Sequence, residues 1–107
     1  MANIDALRDS LITQLKERGA DVEVNLKLIE DYIFYCTEEA KMQKDVAENG
    51  LSVPAIAATG KMYFRDNPAV KMAVLYNKQK LAILDQLDIS PSTIVSTNEV
   101  ETRDDDL

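Results

Sequence analysis

Residues 49–69 read NGLSVPAIAATGKMYFRDNPA, and this stretch decides the fold because it interrupts a chain whose other apolar residues follow a helical period. Two short runs within it, Leu51–Ala55 and Lys61–Phe64, have little helical period and are joined by a glycine-containing connection. This arrangement predicts a β-hairpin over 51–64. Pro54 has no N–H to donate, so its strand is expected at a sheet edge.

Helices are predicted on both sides of the hairpin. Asn67-Pro68 supplies a capping side chain followed by proline at the first helical position, which predicts a helix over 68–87. Before the hairpin, apolar residues at three- and four-residue steps predict helices over 4–18 and 22–49, with Gly19 closing the first. The predicted fold class is mainly α: three principal helices, a small β-hairpin between helices two and three, a short C-terminal helical turn and an acidic tail.

Composition and the same pattern predict one domain with a tail. The chain has 107 residues, of which 46% are hydrophobic and 29% charged, values typical of a globular domain. Residues 1–97 are predicted to form a single helical domain that includes the hairpin. Residues 98–107 are predicted to be a flexible acidic tail, because they contain almost nothing to bury.

The residue inventory argues against most enzyme classes. The chain contains no histidine and one cysteine, which excludes histidine-based triads, histidine-containing metal sites and an internal disulfide. Cys36 lies in an apolar stripe, and the adjacent acid pairs are interpreted as solvated helix faces because neighbouring residues do not share a face. We therefore predict no catalytic residue, no metal and no cofactor. No run is long and apolar enough to span a bilayer, so no membrane association is predicted.

Charge is segregated along the chain, although the net charge is −7. Residues 61–80 carry five basic side chains and one acidic one, and basic groups interleaved with aromatic residues suit phosphate contact and base stacking. The competing interpretation places Tyr63 and Phe64 in the core and leaves the lysines as ordinary surface. The predicted DNA-binding residues are Lys61, Arg65, Lys71, Lys78 and Lys80.

The N-terminal helix offers an alternative basic patch, formed by Arg8, Lys16 and Arg18. Helix, Gly19 and helix also have the order of a helix-turn-helix. The second helix, however, carries acids and is very apolar, which is wrong for a helix that reads a DNA groove.

The second helix predicts self-association. Its apolar stripe is wider than one packed face needs, and a wide stripe usually faces two partners. A lone two-stranded hairpin is marginal in water and must pack on something else. We therefore predict a homo-oligomer, with a closed ring favoured because head-to-tail interfaces close cyclically. The predicted interface residues are Ile29, Tyr32, Ile33 and Tyr35.

Two segments carry a resemblance to a known family: residues 49–69, with Asn67-Pro68-Ala69 at the helix start, and residues 87–93, which read LDISPST. Their order resembles the small terminase subunits of tailed bacteriophages that package DNA from concatemers. Those proteins combine a long helix carrying a tyrosine, a hairpin, an Asn-Pro-Ala helix start and a closing Leu-Gly-Leu-Thr-Pro-Ser segment. The resemblance covers roughly 28–94, and the chain departs from the pattern at Asp88, often glycine, and at Thr93, often serine. It also lacks the arginine that often ends the segment.

The resemblance implies a non-enzymatic DNA-packaging protein of the host cytoplasm. Its implied partners are viral double-stranded DNA, the large terminase subunit, which holds the ATPase and nuclease, and further copies of the chain in a ring. The alternatives are a small helical regulator that binds only protein and, less favoured, a fragment of a metal-dependent hydrolase.

The acidic tail has two functional interpretations and one neutral one. It docks on the large subunit, or it screens the basic surface until DNA displaces it, since opposite charges attract across a Debye length of about 8 Å at physiological salt. The neutral interpretation is a disordered, solubilising end. The residues concerned are Glu99, Glu101, Asp104, Asp105 and Asp106.

Overall fold

The computed structural model describes residues 4–94. Its elements, in chain order, are α1 (Ile4–Glu17), α2 (Glu23–Asn49), β1 (Ser52–Ile56), β2 (Met62–Asp66), α3 (Pro68–Leu87) and a 3₁₀ turn (Pro91–Thr93). The predicted fold class is confirmed: the protein is mainly α, with an antiparallel two-stranded hairpin between the second and third helices. The tail predicted at 98–107 lies outside the described residues.

The hairpin extends two residues beyond its predicted end at Phe64. The ladder runs from Ser52 opposite Asp66 to Ile56 opposite Met62, and the N–H of Asn67 donates to the carbonyl of Leu51 over 2.8 Å. The sequence prediction stopped where the apolar run stopped. Backbone pairing continues because it needs no apolar side chain, only free N–H and C=O groups on the facing strand.

The chain divides into two compact units, here called unit 1 (residues 1–34 and 81–107) and unit 2 (residues 35–80). The described part of unit 1 contains the principal hydrophobic core, to which α1, the first part of α2 and the last part of α3 contribute. A single domain over residues 1–97 stays a prediction. The buried apolar residues of unit 1 are Leu7, Leu11, Leu15, Ile29, Tyr32, Ile33, Ile83, Leu84, Leu87 and Ile89.

Two helices end in the same way, with one residue in the left-handed conformation. After α1 this residue is Gly19 (φ 68°), and the N–H of Ala20 donates to the carbonyl of Leu15 over 2.8 Å. After α3 it is Asp88 (φ 57°), and the N–H of Ile89 donates to the carbonyl of Leu84 over 3.0 Å. Both patterns are Schellman caps, but only glycine adopts this conformation without steric cost.

Replacing Asp88 with glycine is expected to raise the free energy of unfolding by about 0.5 kcal/mol, because the left-handed strain disappears. The carboxylate that is lost is 98% exposed and lies 3.7 Å from Arg18, so its ion pair contributes little. Urea denaturation at pH 7 measures the effect. Asp85→Gly, inside the last turn of α3, is the matched control and should lower stability by about 1 kcal/mol. A D88G variant less stable than the parent would contradict the strain argument.

Unit 2 is organised around a buried polar residue, Asn67, which is 4% exposed. Its side-chain N–H₂ donates to Asp45 Oδ1 and to the carbonyl of Gly50, each over 2.9 Å. Its Oδ1 accepts from the N–H of Ala69 over 3.0 Å, which is the helix cap predicted from Asn67-Pro68. One side chain therefore ties the end of α2 to the start of α3 beside the hairpin.

The hydrogen bonds from Asn67 and, second, from Asn49 lower the pKa of Asp45 below its ordinary value. A carboxyl whose pKa is lowered by folding contributes stability above about pH 4, and this contribution is lost as pH falls through the folded-state pKa. We therefore expect the free energy of unfolding to fall less between pH 6 and pH 3 in Asp45→Asn than in the parent. Urea denaturation at the two pH values measures the difference. Asp9→Asn, an exposed carboxyl, should behave like the parent, and equal losses in parent and D45N would refute the linkage.

Candidate nucleic-acid interface

All five basic residues predicted to bind DNA lie in unit 2, but they are not equivalent. Four of them are exposed and form no ion pair within residues 4–94: Lys61, Arg65, Lys71 and Lys78. Lys80 instead places Nζ 2.6 Å from Glu39 Oε1, and the two side chains are only 18% and 13% exposed. The predicted DNA contact of Lys80 stays a prediction, but its ammonium group is already bound to a carboxylate.

On the hairpin, the structure separates the two aromatic residues that the sequence places side by side. Side chains alternate between the faces of a strand, so Tyr63 shares a face with Arg65, and Lys61 continues that face at the turn. Tyr63 and Arg65 lie opposite Ala55 and Val53 of β1. Phe64 points to the other face together with Met62. The alternation of basic, aromatic and basic groups predicted from the sequence is therefore present on one face, with Tyr63 as its aromatic member.

On α3, Lys71 and Lys78 lie on one exposed face. They are seven residues apart, which is two helical turns and about 10.5 Å along the axis. Val74 and Leu75 lie between them and are 58% and 44% exposed. This helix face therefore presents two ammonium groups on either side of an apolar strip.

The division into units also separates charge. Unit 2 has seven basic and five acidic side chains, whereas the described part of unit 1 has four basic and nine acidic ones. The net charges are +2 and −5. A polyanion is therefore attracted to unit 2 and repelled by the described part of unit 1.

The alternative basic patch on α1 is largely occupied by contacts within unit 1. Arg8 donates to both carboxylate oxygens of Glu30, over 2.8 and 3.1 Å, and also pairs with Asp5. The hydrogen bond to Glu30 is the main cause that raises the pKa of Arg8 above its ordinary value. Arg18 donates to the carbonyls of Leu87 and Asp88 over 2.6 and 2.8 Å, which satisfies the end of α3. Of this set, only Lys16 is exposed and without a partner in the described residues.

Three of the four predicted interface residues are buried within one chain. Ile29 is fully buried and Tyr32 and Ile33 are each 7% exposed, all in the core of unit 1. Tyr35 is half-buried, with its ring centroid 5.8 Å from that of Tyr76. A single chain does not test an interface, so this assignment stays a prediction, but buried side chains offer a partner little surface.

Sequence analysis missed the exposed apolar side chains of unit 2. Its buried residues are one alanine, Ala69, and Asn67, although the unit has 46 residues. Alternation along β2 without polar residues on either face was the available signal. The large exposed apolar residues of unit 2 are Leu51, Ile56, Met62, Tyr63, Phe64, Val74 and Leu75.

The remaining predictions concern the tail, metals and membranes. The five tail acids predicted to dock a partner lie outside the described residues. Among residues 4–94, no three His, Cys, Asp or Glu side chains come together in a way that could hold a metal ion. The predicted absence of a metal and of a cofactor stays a prediction. No helix of the described chain is both long and apolar enough to cross a bilayer.

Comparison with known proteins gives one result that covers most of the chain. The model of the family described as phage terminase, small subunit, matches residues 6–104. The chain belongs to this family. The resemblance seen in the hairpin, the Asn67-Pro68-Ala69 helix start and the 87–93 segment is thereby confirmed, and the match extends to α1 as well. No curated protein matched this small terminase subunit, and no solved structure did.

Membership of the family gives Asp88 its context. The glycine often found at this position suits the left-handed cap of α3, and this small terminase subunit holds an aspartate in the same conformation. The departure from the family pattern is therefore accommodated by the backbone without loss of the cap.

Proposed function

We propose that this small terminase subunit is a non-catalytic component of the viral genome-packaging machinery that binds viral double-stranded DNA and recruits or regulates the large subunit. It acts as a homo-oligomeric ring in the host cytoplasm. The observation that carries the DNA-binding proposal is the positive charge of unit 2, with four exposed basic side chains free of ion pairs in the described chain. Family membership supports the packaging role.

The oligomer proposal rests on the imbalance between the two units. Unit 2 exposes seven large apolar side chains and buries almost none, whereas the described part of unit 1 has a ten-residue apolar core. Segments of about 40 residues rarely stabilise themselves without a metal, a disulfide or a partner chain. We therefore place the subunit interface on unit 2, on its exposed apolar residues, in preference to Ile29, Tyr32 and Ile33.

A ring also resolves the conflict between a net charge of −7 and DNA binding. Each subunit offers few phosphate contacts, but several subunits on one DNA act together, so weak contacts add up to a useful affinity. The acidic tail is proposed to dock on the large subunit. This part of the proposal rests on charge opposition alone.

Two measurements on the unmodified protein test the proposal. Native mass spectrometry at micromolar concentration should return a multiple of 12.0 kDa, and a monomer would end the ring proposal. A gel-shift titration with double-stranded DNA should show binding that weakens steeply between 50 and 200 mM salt. Oligomer formation without any DNA shift at low salt would instead favour a regulator that binds only protein. Truncation after Thr97 should remove stimulation of the large subunit's ATPase while leaving the DNA shift unchanged.

A further inference from the structure

The hairpin has one strand edge that is open along its length. The bonded pairs Ala57–Lys61 and Leu51–Asn67 fix the alternation of the ladder, since antiparallel strands bond at every second residue. Residues 62, 64 and 66 of β2 therefore direct their N–H and C=O groups away from β1. On β1 the outward positions are 52, 54 and 56, and Pro54 at the centre has no N–H. The edge of β1 is blocked in the middle, and the edge of β2 is not.

The open edge lies beside an apolar face that nothing in the described chain covers. All five residues of β2 are exposed. Ile56, Met62 and Phe64 share one face of the hairpin and are 74%, 64% and 67% exposed. Exposed strand edges template pairing with another chain, and contiguous apolar patches mark interaction sites.

The sequence of β2 is self-complementary when two copies run antiparallel. With Phe64 opposite Phe64, all three outward residues of each strand find partners, because Met62 then lies opposite Asp66. The pair at 64 brings two aromatic rings together, which stabilises cross-strand neighbours. On the opposite face, Tyr63 meets Arg65 in both halves of the pair, an arrangement suited to a cation–π contact. Parallel pairing in register would instead place like charges side by side at Arg65.

We propose that β2 pairs antiparallel with β2 of a second copy, Phe64 against Phe64, so that two hairpins form one four-stranded sheet. The inference rests on the proposed homo-oligomer and deepens it. An isologous contact closes at two chains, so it adds to the head-to-tail contact of a ring and requires an even number of subunits in the particle. Five residues a side is far less than the 20–30 of a standard interface, so the pair depends on the ring to hold the strands together.

Site-directed disulfides test the register directly, in the full chain and in a Cys36→Ala background. In the proposed pair, Phe64→Cys places two Cα atoms about 5.5 Å apart, within the range for a disulfide. Met62→Cys is the matched control, because its counterpart in the second copy lies four residues away along the strand, about 14 Å. Combining Met62→Cys with Asp66→Cys should restore the cross-link. Air oxidation followed by a non-reducing gel should show disulfide-linked dimers as the main species for F64C and the M62C/D66C double variant, and monomers for M62C.

The outcomes separate this inference from the proposed ring. If the unmodified protein is a monomer, both fail together. If it is an oligomer but F64C forms no dimers, or M62C alone links equally well, the strand pairing is wrong and the ring stands. An odd subunit number by native mass spectrometry also overturns the pairing. Phe64→Pro provides an independent variant: it removes only an outward N–H, so the hairpin should form while the M62C/D66C cross-link built into it is lost.

Discussion

Replacing the four unpaired basic residues of unit 2 with glutamine should abolish the DNA shift. The residues are Lys61, Arg65, Lys71 and Lys78, all exposed, so the fold should be unchanged by circular dichroism. If each contacts one phosphate, the affinity of one engaged subunit falls with salt to a power of about −3.6, or roughly 150-fold between 50 and 200 mM. The quadruple variant should lose this salt dependence together with the binding.

A charge-matched comparison separates the proposed surface from net charge. Lys71→Gln/Lys78→Gln and Lys41→Gln/Lys44→Gln each remove two lysines from helices of unit 2, but Lys41 and Lys44 already pair with Glu38 and Glu48. The first pair should lower the salt slope by about two per subunit, and the second should change it little. If the quadruple variant still bound DNA while Lys16→Gln did not, the N-terminal patch would be the DNA element.

Replacing Asn67 with alanine should be the most destabilising single change outside the unit 1 core. It removes three hydrogen bonds and leaves the Asp45 carboxylate, the carbonyl of Gly50 and the N–H of Ala69 without this partner at a buried position. We expect a loss of about 3 kcal/mol in the free energy of unfolding, because buried polar groups left unpaired cost about 1–3 kcal/mol each and partly relax. Urea denaturation measures the total, and hydrogen exchange of the hairpin amides shows whether the loss is centred in unit 2.

Asn49→Ala is the matched control for this prediction. Asn49 also donates to Asp45 Oδ1, over 3.2 Å, but it is exposed, so its loss should cost less than about 1 kcal/mol. Asn67→Asp is a second test, because it keeps an oxygen that can cap α3 but sets two carboxylates against each other. Its stability should recover on mild acidification, opposite to the trend expected of the parent. Equal effects of N67A and N49A would show that Asn67 is not the centre of unit 2.

The order of elements was predictable because its signals are local. The glycine-containing connection and Pro54 predicted a hairpin, and Asn67-Pro68 predicted the start of α3, since turn and cap residues act through their own backbone geometry. Helix bounds agree within one residue for the same reason, with α1 ending at Glu17 and α2 starting at Glu23. The family resemblance also follows from these punctuating residues, and the family match over 6–104 confirms it.

The candidate site was only partly predictable. The sequence identified the basic window at 61–80, because charge segregation is visible without a fold. It did not show that Lys80 pairs with Glu39, forty-one residues away, or that Arg18 caps α3 through Leu87 and Asp88. A charged residue looks the same in sequence whether its partner is water, a carbonyl or a carboxylate on a distant segment.

The sequence by itself determined the three helices, the hairpin, the caps and the uneven distribution of charge. Only the tertiary structure decided which apolar faces are used within the chain. Periodicity shows that Ile29, Tyr32 and Ile33 share a helix face, but not whether that face meets α1 or another subunit. The structure buries them in unit 1 and leaves Ile56, Met62 and Phe64 exposed in unit 2. The physical reason is that burial is a property of the whole packed chain, whereas a helical or strand period is fixed by a few neighbouring residues.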